Sequence, residues 1–281
     1  MNGQFFIYND KFYSNNSPIV SPGNRGLRYG DGLFETMKSV NGKIINAAFH
    51  LERLFSGLLL LQFDIPKHFT EDFILKKITE VCNKNQHNKQ ARIRLMIFRG
   101  NGGIFDPENH LPNYIIESWE LAGTDTLNEN GLIIDIFPDA KKSCDYFSNI
   151  KSNNYLPYAM AALYARKNNL NDCMMLNSFG RICDSVIANV FMIKEDAIYT
   201  PPLSEGCVAG TMRRWMLEKF ELENYHVSEK SLTTEELLQA DELFLTTAIY
   251  HIKWVKCFRE KTYESYSIEK IYNKMIQTIN G

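Results

Sequence analysis

Residues 25–45 read RGLRYGDGLFETMKSVNGKII, a turn with two glycines followed by two strand-like runs. The glycines flank Asp31 directly before a strand, which predicts a tight turn whose backbone can approach a ligand closely. The runs 33–40 and 43–45 flank an Asn-Gly step, the strongest short signal for a β-hairpin, because both of its residues tolerate a positive φ. The segment therefore predicts a strand that follows a glycine turn and continues into a hairpin.

The rest of the first half is predicted as further strands around two helices. Apolar residues recur at helical spacing over 49–63. Thr70 is a suitable cap for a second helix, which extends to residue 83. Residues 91–98 alternate apolar side chains with arginine or methionine, as a half-buried strand does. The remaining strands of this half are predicted at 4–8, 11–13 and 114–119.

A polar, turn-forming segment divides the chain. Residues 123–131, GTDTLNENG, show no periodicity and are predicted to link a smaller N-terminal domain, 1–122, to a larger C-terminal domain, 132–281. Strands in the second half are predicted at 132–137, 173–176, 190–193, 197–199, 227–229 and 243–246, and helices at 157–167, 211–220 and 233–238. Because both element types are plentiful, the fold class is α+β, or mixed α/β, with two domains.

The composition favours a globular protein that binds small molecules. Thirty-one Lys and Arg against 33 Asp and Glu leave a net charge of −2, which argues against nucleic acid or an anionic membrane as partner. No leader sequence is readable, and no apolar run approaches the roughly 20 residues that span a bilayer, so a cytoplasmic protein is expected. The six cysteines form no C-x-x-C pair and the histidines no H-E-x-x-H motif, so no metal is expected.

Two polar residues stand out in the second half. Lys151 lies in the tract NIKSNNYLP, residues 149–157, between a predicted strand and a helix. An enclosed lysine close to other positive charge can have its pKa lowered enough to form an imine, although most lysines are simply solvated. Asp184 lies in an apolar run over 180–191, where a carboxylate needs a partner because burying it bare is expensive. A turn between two strands is the alternative interpretation of Asp184.

Three further segments carry groups that bind anions. His50 and Arg53 lie three residues apart on the first predicted helix, so both project from one side toward an anion, unless Arg53 is a solvated charge. Residues 200–214, TPPLSEGCVAGTMRR, lead from a glycine-bearing loop into a helix N-terminus, whose amides and dipole suit a phosphate monoester. Thr246 and Thr247 end a strand and can add hydroxyl hydrogen bonds, although threonine is also common in strands.

Together the motifs resemble one protein family. Their order is R-G-x-x-Y-G-D-G-x-F-E-T, H-x-x-R-L, K-x-x-N-Y-L, D-S-x-x-A-N-x-F, T-P-P-L-x-x-G-x-x-x-G-x-x-R and A-D-E-x-F-L-T. This set resembles the class IV aminotransferases, the fold type IV pyridoxal-phosphate enzymes that include branched-chain and D-amino-acid aminotransferases and aminodeoxychorismate lyase. The resemblance spans about residues 5–255. It implies a two-domain fold like that of D-amino-acid aminotransferase, a homodimer, and pyridoxal 5'-phosphate as cofactor.

The resemblance implies three roles at the ring of the cofactor. Lys151 matches the catalytic Schiff-base lysine, which also moves the proton between the substrate's α-carbon and the cofactor. Tyr155 is similar to the tyrosine that hydrogen-bonds the phenolic oxygen. Asp184 stands where the family usually has Glu and would pair with the pyridine nitrogen, although its side chain is shorter by one methylene. A carboxylate there keeps the ring protonated, and a protonated ring accepts electrons.

The resemblance also implies a site for the cofactor's phosphate. Arg53 matches the arginine that holds this group. Backbone amides around Thr211 and Met212 would join it, together with the hydroxyl of Thr246 or Thr247.

Several residues are candidates for binding the substrate. Arg94 and Arg99 lie on or next to the predicted strand at 91–98, and a planar guanidinium matches a carboxylate bidentately. The further candidates on the substrate side are Arg28, Phe34 and His251.

The reaction itself has two leading interpretations. The first is an aminotransferase that moves an amino group between an amino acid and a 2-oxo acid. The second is 4-amino-4-deoxychorismate lyase, which releases pyruvate and p-aminobenzoate. RGNGG at 99–103 and GTMR at 210–213 look like stretches of that lyase, but Ile104 stands where the subgroup often has a further Arg. A cofactor-free binding protein is the third interpretation, and the presence of Lys151 argues against it.

Overall fold

The computed structural model of the chain describes residues 3–122, 126–276 and 279. The chain forms two compact units. Unit 1 comprises Met1–Thr124 and Ile150–Tyr155, and unit 2 comprises Asp125–Asn149 and Leu156–Gly281. Of the linker predicted at 123–131, residues 123–125 lie outside the described residues.

Unit 1 contains a six-stranded antiparallel sheet with two long helices. Its strands pair in the order β2-β1-β6-β5-β3-β4, and both predicted hairpins of this unit are present. Its elements are β1 (Phe5–Tyr8), β2 (Lys11–Ser14), α1 (Arg25–Tyr29), β3 (Gly32–Val40), β4 (Lys43–Ile44), α2 (Ala47–Leu60), α3 (Glu71–Asn85), β5 (Gln90–Arg99) and β6 (Pro112–Glu120).

One face of this sheet carries the core of unit 1. The predicted alternation of β5 is confirmed, since Ile93, Leu95 and Ile97 are fully buried. They pack in one cluster with Leu51 and Leu54, which the helical spacing of α2 brings to the same side. The opposite side of β5 carries Arg92 and Arg94, because successive side chains of a strand point to opposite faces.

Unit 2 contains a nine-stranded mixed sheet. Eight strands pair in the order β12-β11-β10-β13-β14-β7-β8-β9, and β15 pairs with β14. The elements are β7 (Leu132–Lys142), α4 (Leu156–Lys167), β8 (Asp172–Asn177), β9 (Ile182–Ser185), β10 (Asn189–Lys194), β11 (Ala197–Thr200), a 3-10 turn (Leu203–Glu205), α5 (Thr211–Leu222), β12 (Val227–Glu229), α6 (Thr234–Leu238), β13 (Glu242–Thr247), β14 (His251–Phe258), β15 (Lys261–Thr262), α7 (Tyr266–Ile271) and a π-helical turn (Tyr272–Ile276). Across the described ranges of both units, no helix combines the length and apolar character needed to cross a membrane.

The sheet of unit 2 is apolar on both faces. Along β10, Val190 and Met192 belong to one core cluster, whereas Phe191 and Ile193 belong to a second cluster on the other side. A sheet that is covered on both faces needs apolar residues at every position of its central strands, and this explains the continuous apolar runs in the second half of the sequence.

Two segments differ from the expectation. The predicted glycine turn is preceded by the short helix α1, which ends at Gly30 in the left-handed conformation with φ 65°. Strand β7 extends to Lys142 rather than ending at Phe137. Its pairing with β8 shifts register between Ile136 and Lys141, so the alternation that marks a strand in sequence is interrupted there.

The domain assignment needs one correction. Residues 150–155 were expected within the C-terminal domain, 132–281, but they belong to unit 1. The reason is backbone pairing with β3, because the N–H of Phe34 donates to the carbonyl of Lys151 at 2.9 Å.

The variant Leu54→Ala tests the core of unit 1. Leu54 is 0% exposed, whereas Leu59 on the same helix is 67% exposed. Truncating the buried side chain leaves a cavity, so we expect the free energy of unfolding to fall by roughly 2–5 kcal/mol. Leu59→Ala is the matched control and should change it by less than about 0.5 kcal/mol. Urea denaturation followed by circular dichroism measures both, and equal losses would contradict the packing of α2.

Candidate functional site

Lys151 is held in unit 1 by a short backbone pairing. The N–H of Phe34 donates to the carbonyl of Lys151, the N–H of Asn153 donates to the carbonyl of Gly32 at 2.9 Å, and Leu33 bridges Ser152. The segment thus lies along the N-terminal end of β3, whereas β4 pairs with the C-terminal end of that strand.

The space beside Gly32, expected to face a ligand, is filled by the protein's own chain. A Cβ atom at Gly32 would overlap the carbonyl oxygen of Ile97 and lie 2.6 Å from Nδ2 of Asn153. The same Nδ2 donates to the Ile97 carbonyl at 3.3 Å. Glycine is therefore required here for the close approach of β5 and the Lys151 segment.

The amine of Lys151 lies among aromatic rings. Its Nζ is 4.5 Å from the centroid of the Phe34 ring and 5.6 Å from that of Tyr155. These rings meet edge to face with their centroids 5.4 Å apart. The guanidinium carbon of Arg94 lies 4.4 Å from the Phe34 centroid. The Lys151 amine and the Arg94 guanidinium therefore border one ring, and the guanidinium attracts an anion such as a carboxylate.

Arg53 is oriented by a buried carboxylate. Its Nε donates to Oε1 of Glu35 at 2.7 Å and its Nη2 to Oε2 at 2.6 Å, a bidentate pair. Nδ1 of His50 lies 2.6 Å from the same Oε2. As predicted, His50 and Arg53 project from one side of α2, and the anion between them is Glu35. The sequence analysis did not single out Glu35. The signal that could have found it is its position between the apolar residues Leu33 and Met37 of β3, since a carboxylate on a core-facing side of a strand needs a partner.

Charge pairing controls ionisation in this cluster. Burial alone would raise the pKa of Glu35, but Arg53 and His50 together lower it to about 2. Burial lowers the pKa of His50 against the opposing pull of Glu35. The ring is therefore neutral at pH 7 and donates its Nδ1 proton to the carboxylate, which can only accept.

Asp184 lies on β9 of unit 2 and has several partners there. Its Oδ2 accepts hydrogen bonds from the Tyr158 hydroxyl at 2.8 Å, from Nζ of Lys142 at 3.0 Å and from the N–H of Val208 at 3.1 Å. Burial alone would lower the pKa of Lys142, but Asp184 outweighs it and raises that pKa. The sequence indicated that Asp184 needs a partner; it did not identify Lys142 or Tyr158, because β7 was expected to end before Lys142.

The predicted helix N-terminus is confirmed at α5, which begins after Gly210. No side chain caps this helix among the described residues, and its first residues Thr211 and Met212 are buried. A Cβ atom at Gly210 would overlap Oδ1 of Asn189, so the backbone approaches β10 closely there. An uncapped helix start favours a bound anion.

The two candidate threonines differ in their hydrogen bonds. Thr246 pairs in register with Asn189 of β10, and its buried Oγ1 has no hydrogen-bond partner among the described residues. Oγ1 of Thr247 accepts the N–H of Tyr250 at 3.0 Å, and its own proton remains available for donation. A buried hydroxyl without a partner is rare in folded proteins and indicates a missing acceptor or donor.

The other substrate-side candidates lie in different surroundings. Arg99 is buried, and its guanidinium donates to Asp31, to His110 and to the carbonyls of Leu61 and Gln62. The Nε of Arg28 donates to the carbonyl of Pro22 at 2.7 Å, on an exposed part of α1. His251 is fully buried at the start of β14 in unit 2. Among the arginines, the geometry of unit 1 favours Arg94 over Arg99 as a binding residue.

Among the described residues, no group of three or more His, Cys, Asp or Glu side chains is arranged to hold a metal ion.

The chain is similar to several characterised proteins. The family model described as amino-transferase class IV matches residues 32–255. A Methanocaldococcus jannaschii protein provisionally named a branched-chain-amino-acid aminotransferase is 29% identical over 248 residues, covering 85% of this chain and 82% of that protein. The aminodeoxychorismate lyase of Vibrio harveyi is 28% identical over 237 residues, covering 82% and 84%. The solved branched-chain aminotransferase of Thermoproteus uzoniensis has a TM-score of 0.88 at 20% identity, covering 99% and 96%, which confirms the predicted fold.

The variant Glu35→Gln tests the buried charge cluster through pH. The pKa of Glu35 is about 2 in the folded protein and 4.5 ordinarily. The charged carboxylate therefore makes its full contribution to stability when the pH is above 4.5. That contribution is lost as the pH falls through the folded pKa. We expect Glu35→Gln to be less stable at pH 7 by roughly 3–5 kcal/mol, since it leaves Arg53 without its anion. The two proteins should then converge in stability as the pH is lowered to about 2.

Urea denaturation at a series of pH values provides the measurement. Glu264→Gln is the matched control, since it removes the same charge at an exposed position. Its free energy of unfolding should equal that of the wild type at every pH. Wild type and Glu35→Gln profiles that stay parallel in acid would refute this role of Glu35.

Proposed function

The chain belongs to the amino-transferase class IV family, and we propose from this that it is a pyridoxal 5'-phosphate-dependent aminotransferase. It transfers an amino group between an amino acid and a 2-oxo acid. The observation that carries this proposal is the surroundings of Lys151, a half-buried residue whose amine lies beside the rings of Phe34 and Tyr155. We also propose, from the family resemblance, a homodimer that acts on small molecules. From the net charge of −2 and the absence of a readable leader, we propose a cytoplasmic protein that binds no nucleic acid or membrane.

Unit 1 has suitable residues for the aldehyde, the phenolic oxygen and part of the phosphate of the cofactor. The Lys151 amine would hold the cofactor through its aldehyde carbon, whose oxygen leaves as water, and the neighbouring Tyr155 hydroxyl would hydrogen-bond the phenolic oxygen. Arg53 is a cation for the phosphate, with its orientation set by Glu35. When bound, pyridoxal phosphate supplies an electron sink for charge left at the substrate's α-carbon.

Unit 2 has suitable residues for the ring nitrogen and the rest of the phosphate. Asp184 is a buried carboxylate with a cation beside it, and a pyridine nitrogen needs such a partner to stay protonated. The unpartnered Oγ1 of Thr246 and the donor proton of Thr247 support a phosphate contact. The uncapped start of α5 at Thr211 and Met212 supports the same contact through backbone amides.

The side chains of unit 1 have separate tasks in the proposed reaction. Nζ of Lys151 would take the proton from the substrate's α-carbon as general base and would then deliver it, as general acid, to the cofactor carbon that carried the aldehyde. The rings of Phe34 and Tyr155 cover part of this amine and limit the access of water. Arg94, whose guanidinium carbon lies 4.4 Å from the centroid of the same Phe34 ring, binds a carboxylate of the substrate.

A half-reaction tests the proposed aminotransferase activity and the role of Lys151. Cofactor-loaded protein is mixed with a panel of L- and D-amino acids without an acceptor, and 2-oxo acid is quantified by chromatography. Each site can react once, so we expect one 2-oxo acid per chain. Lys151→Ala should form none, because the amine that moves the proton is missing. Lys43→Ala, at an exposed lysine of the same unit, is the control and should match the wild type.

The lyase is the second candidate, favoured by the similarity to the Vibrio harveyi enzyme. Release of pyruvate and p-aminobenzoate from 4-amino-4-deoxychorismate, with no 2-oxo acid formed from any amino acid, would assign that reaction instead. Inactivity of the cofactor-loaded protein in both assays would contradict the proposed enzyme function.

The variant Arg94→Ala tests the proposed carboxylate site. Loss of a charge-assisted hydrogen bond should raise the Michaelis constant for the amino donor by roughly 10–100-fold. Arg92→Ala is the matched control, since Arg92 lies two residues earlier on β5, with its guanidinium 5.5 Å from the Trp119 ring centroid. Steady-state kinetics with both variants measures the effect. Equal Michaelis constants for Arg94→Ala and Arg92→Ala would exclude Arg94 from substrate binding.

A further inference from the structure

The two oxygens of the Asp184 carboxylate have unequal surroundings. Oδ2 accepts three hydrogen bonds, from Tyr158, Lys142 and the N–H of Val208. Oδ1 accepts one within the described chain, from the thiol of Cys183 at 3.3 Å. A thiol is a weak hydrogen-bond donor. Oδ2 therefore has strong hydrogen bonds, whereas Oδ1 can still accept one from a stronger donor.

The three donors to Oδ2 come from separate elements of unit 2. Lys142 ends β7, Tyr158 lies in the first turn of α4, and Val208 lies in the loop before α5. Nζ of Lys142 is also 5.0 Å from the centroid of the Tyr158 ring, so the ammonium packs against that ring. Because the carboxylate is held from three directions, its rotation about the terminal side-chain bond is restricted.

The opposite charges of Asp184 and Lys142 are paired and largely buried. The side chain of Asp184 is 3% exposed and that of Lys142 is 10% exposed. Since the pKa of Lys142 is raised, it supplies a full positive charge beside the carboxylate at neutral pH. Burial raises the pKa of Cys183 well above its ordinary value, so its sulfur stays a neutral thiol. Removing the cation alone would leave a buried carboxylate without compensation.

We propose that Lys142 and Tyr158 are positioning residues, which hold Oδ2 of Asp184 so that Oδ1 accepts the ring N–H of pyridoxal phosphate. This inference rests on the proposed function. Aspartate is one methylene shorter than the glutamate that the family usually has. Its carboxylate must therefore be oriented more closely for an oxygen to reach the ring nitrogen. Fixing one oxygen from three elements supplies that orientation.

Two aldehydes that differ only at the ring nitrogen test the proposal. The full chain is freed of cofactor, and its affinity for pyridoxal phosphate is compared with that for 1-deazapyridoxal phosphate, which has C–H in place of the nitrogen. Tryptophan fluorescence quenching gives both dissociation constants. The wild type should prefer pyridoxal phosphate by at least about tenfold, the contribution of one charge-assisted hydrogen bond. Lys142→Met and Tyr158→Phe should each lose most of this preference.

Matched variants separate positioning from a general structural effect. Lys142→Arg keeps the cation and should keep the preference, and Lys141→Met, at the exposed neighbouring lysine, should behave as the wild type. A merely structural role would weaken the binding of both aldehydes equally and leave their ratio unchanged, which would overturn the inference. Should Lys142→Met fail to fold, the conservative Tyr158→Phe decides the question alone.

The wild type distinguishes the two proposals. If it binds neither aldehyde, the proposed function is wrong. If it binds both with equal affinity, the proposed function stands and the positioning role is wrong.

Discussion

The backbone pairing between residues 151–153 and the start of β3 is the constraint on which the candidate site of unit 1 depends. Two hydrogen bonds, from Phe34 to the Lys151 carbonyl and from Asn153 to the Gly32 carbonyl, hold a segment that lies far along the sequence. The pairing requires glycine at position 32, because a Cβ atom would meet β5 and Asn153. It sets the Lys151 amine beside the Phe34 ring, and Arg94 reaches the same ring from β5. The chemical environment of the amine thus follows from strand geometry.

Each unit contains a buried carboxylate with a cation beside it, Glu35 in unit 1 and Asp184 in unit 2. The two differ in how many further hydrogen bonds they can accept. Both oxygens of Glu35 accept charge-assisted or imidazole hydrogen bonds within unit 1. Within the described part of the chain, strong donors reach Oδ2 of Asp184, and its Oδ1 accepts from a thiol alone. Because a buried carboxylate is stable only when its charge and lone pairs are satisfied, Glu35 is suited to orienting Arg53, whereas Asp184 is suited to accepting a further donor from a ligand.

A protein provisionally named a branched-chain-amino-acid aminotransferase and an aminodeoxychorismate lyase match the chain at 29% and 28% identity, so overall similarity does not separate the two reactions. Under the proposed function, Lys151 and Asp184 serve the cofactor in either reaction and do not discriminate between them. Under the proposed function, the distinction depends on side chains that contact the substrate. The candidates in unit 1 are Phe34 and Arg94, because the Arg94 guanidinium and the Lys151 amine both lie close to the Phe34 ring. The guanidinium of Arg99 is used instead to hold Asp31 and neighbouring backbone.

The sequence by itself determined the local elements and the family. The Asn-Gly hairpin after β3, the helical spacing of α2 and the alternation of β5 follow from backbone preferences and burial within a few residues, and the order of motifs indicated class IV aminotransferases. Only the tertiary structure decided that residues 150–155 join unit 1, that β7 extends to Lys142, and that Glu35 and Asp184 have these partners. Such pairings join side chains distant in sequence, and which donor reaches which acceptor depends on how strands and helices pack rather than on any local pattern.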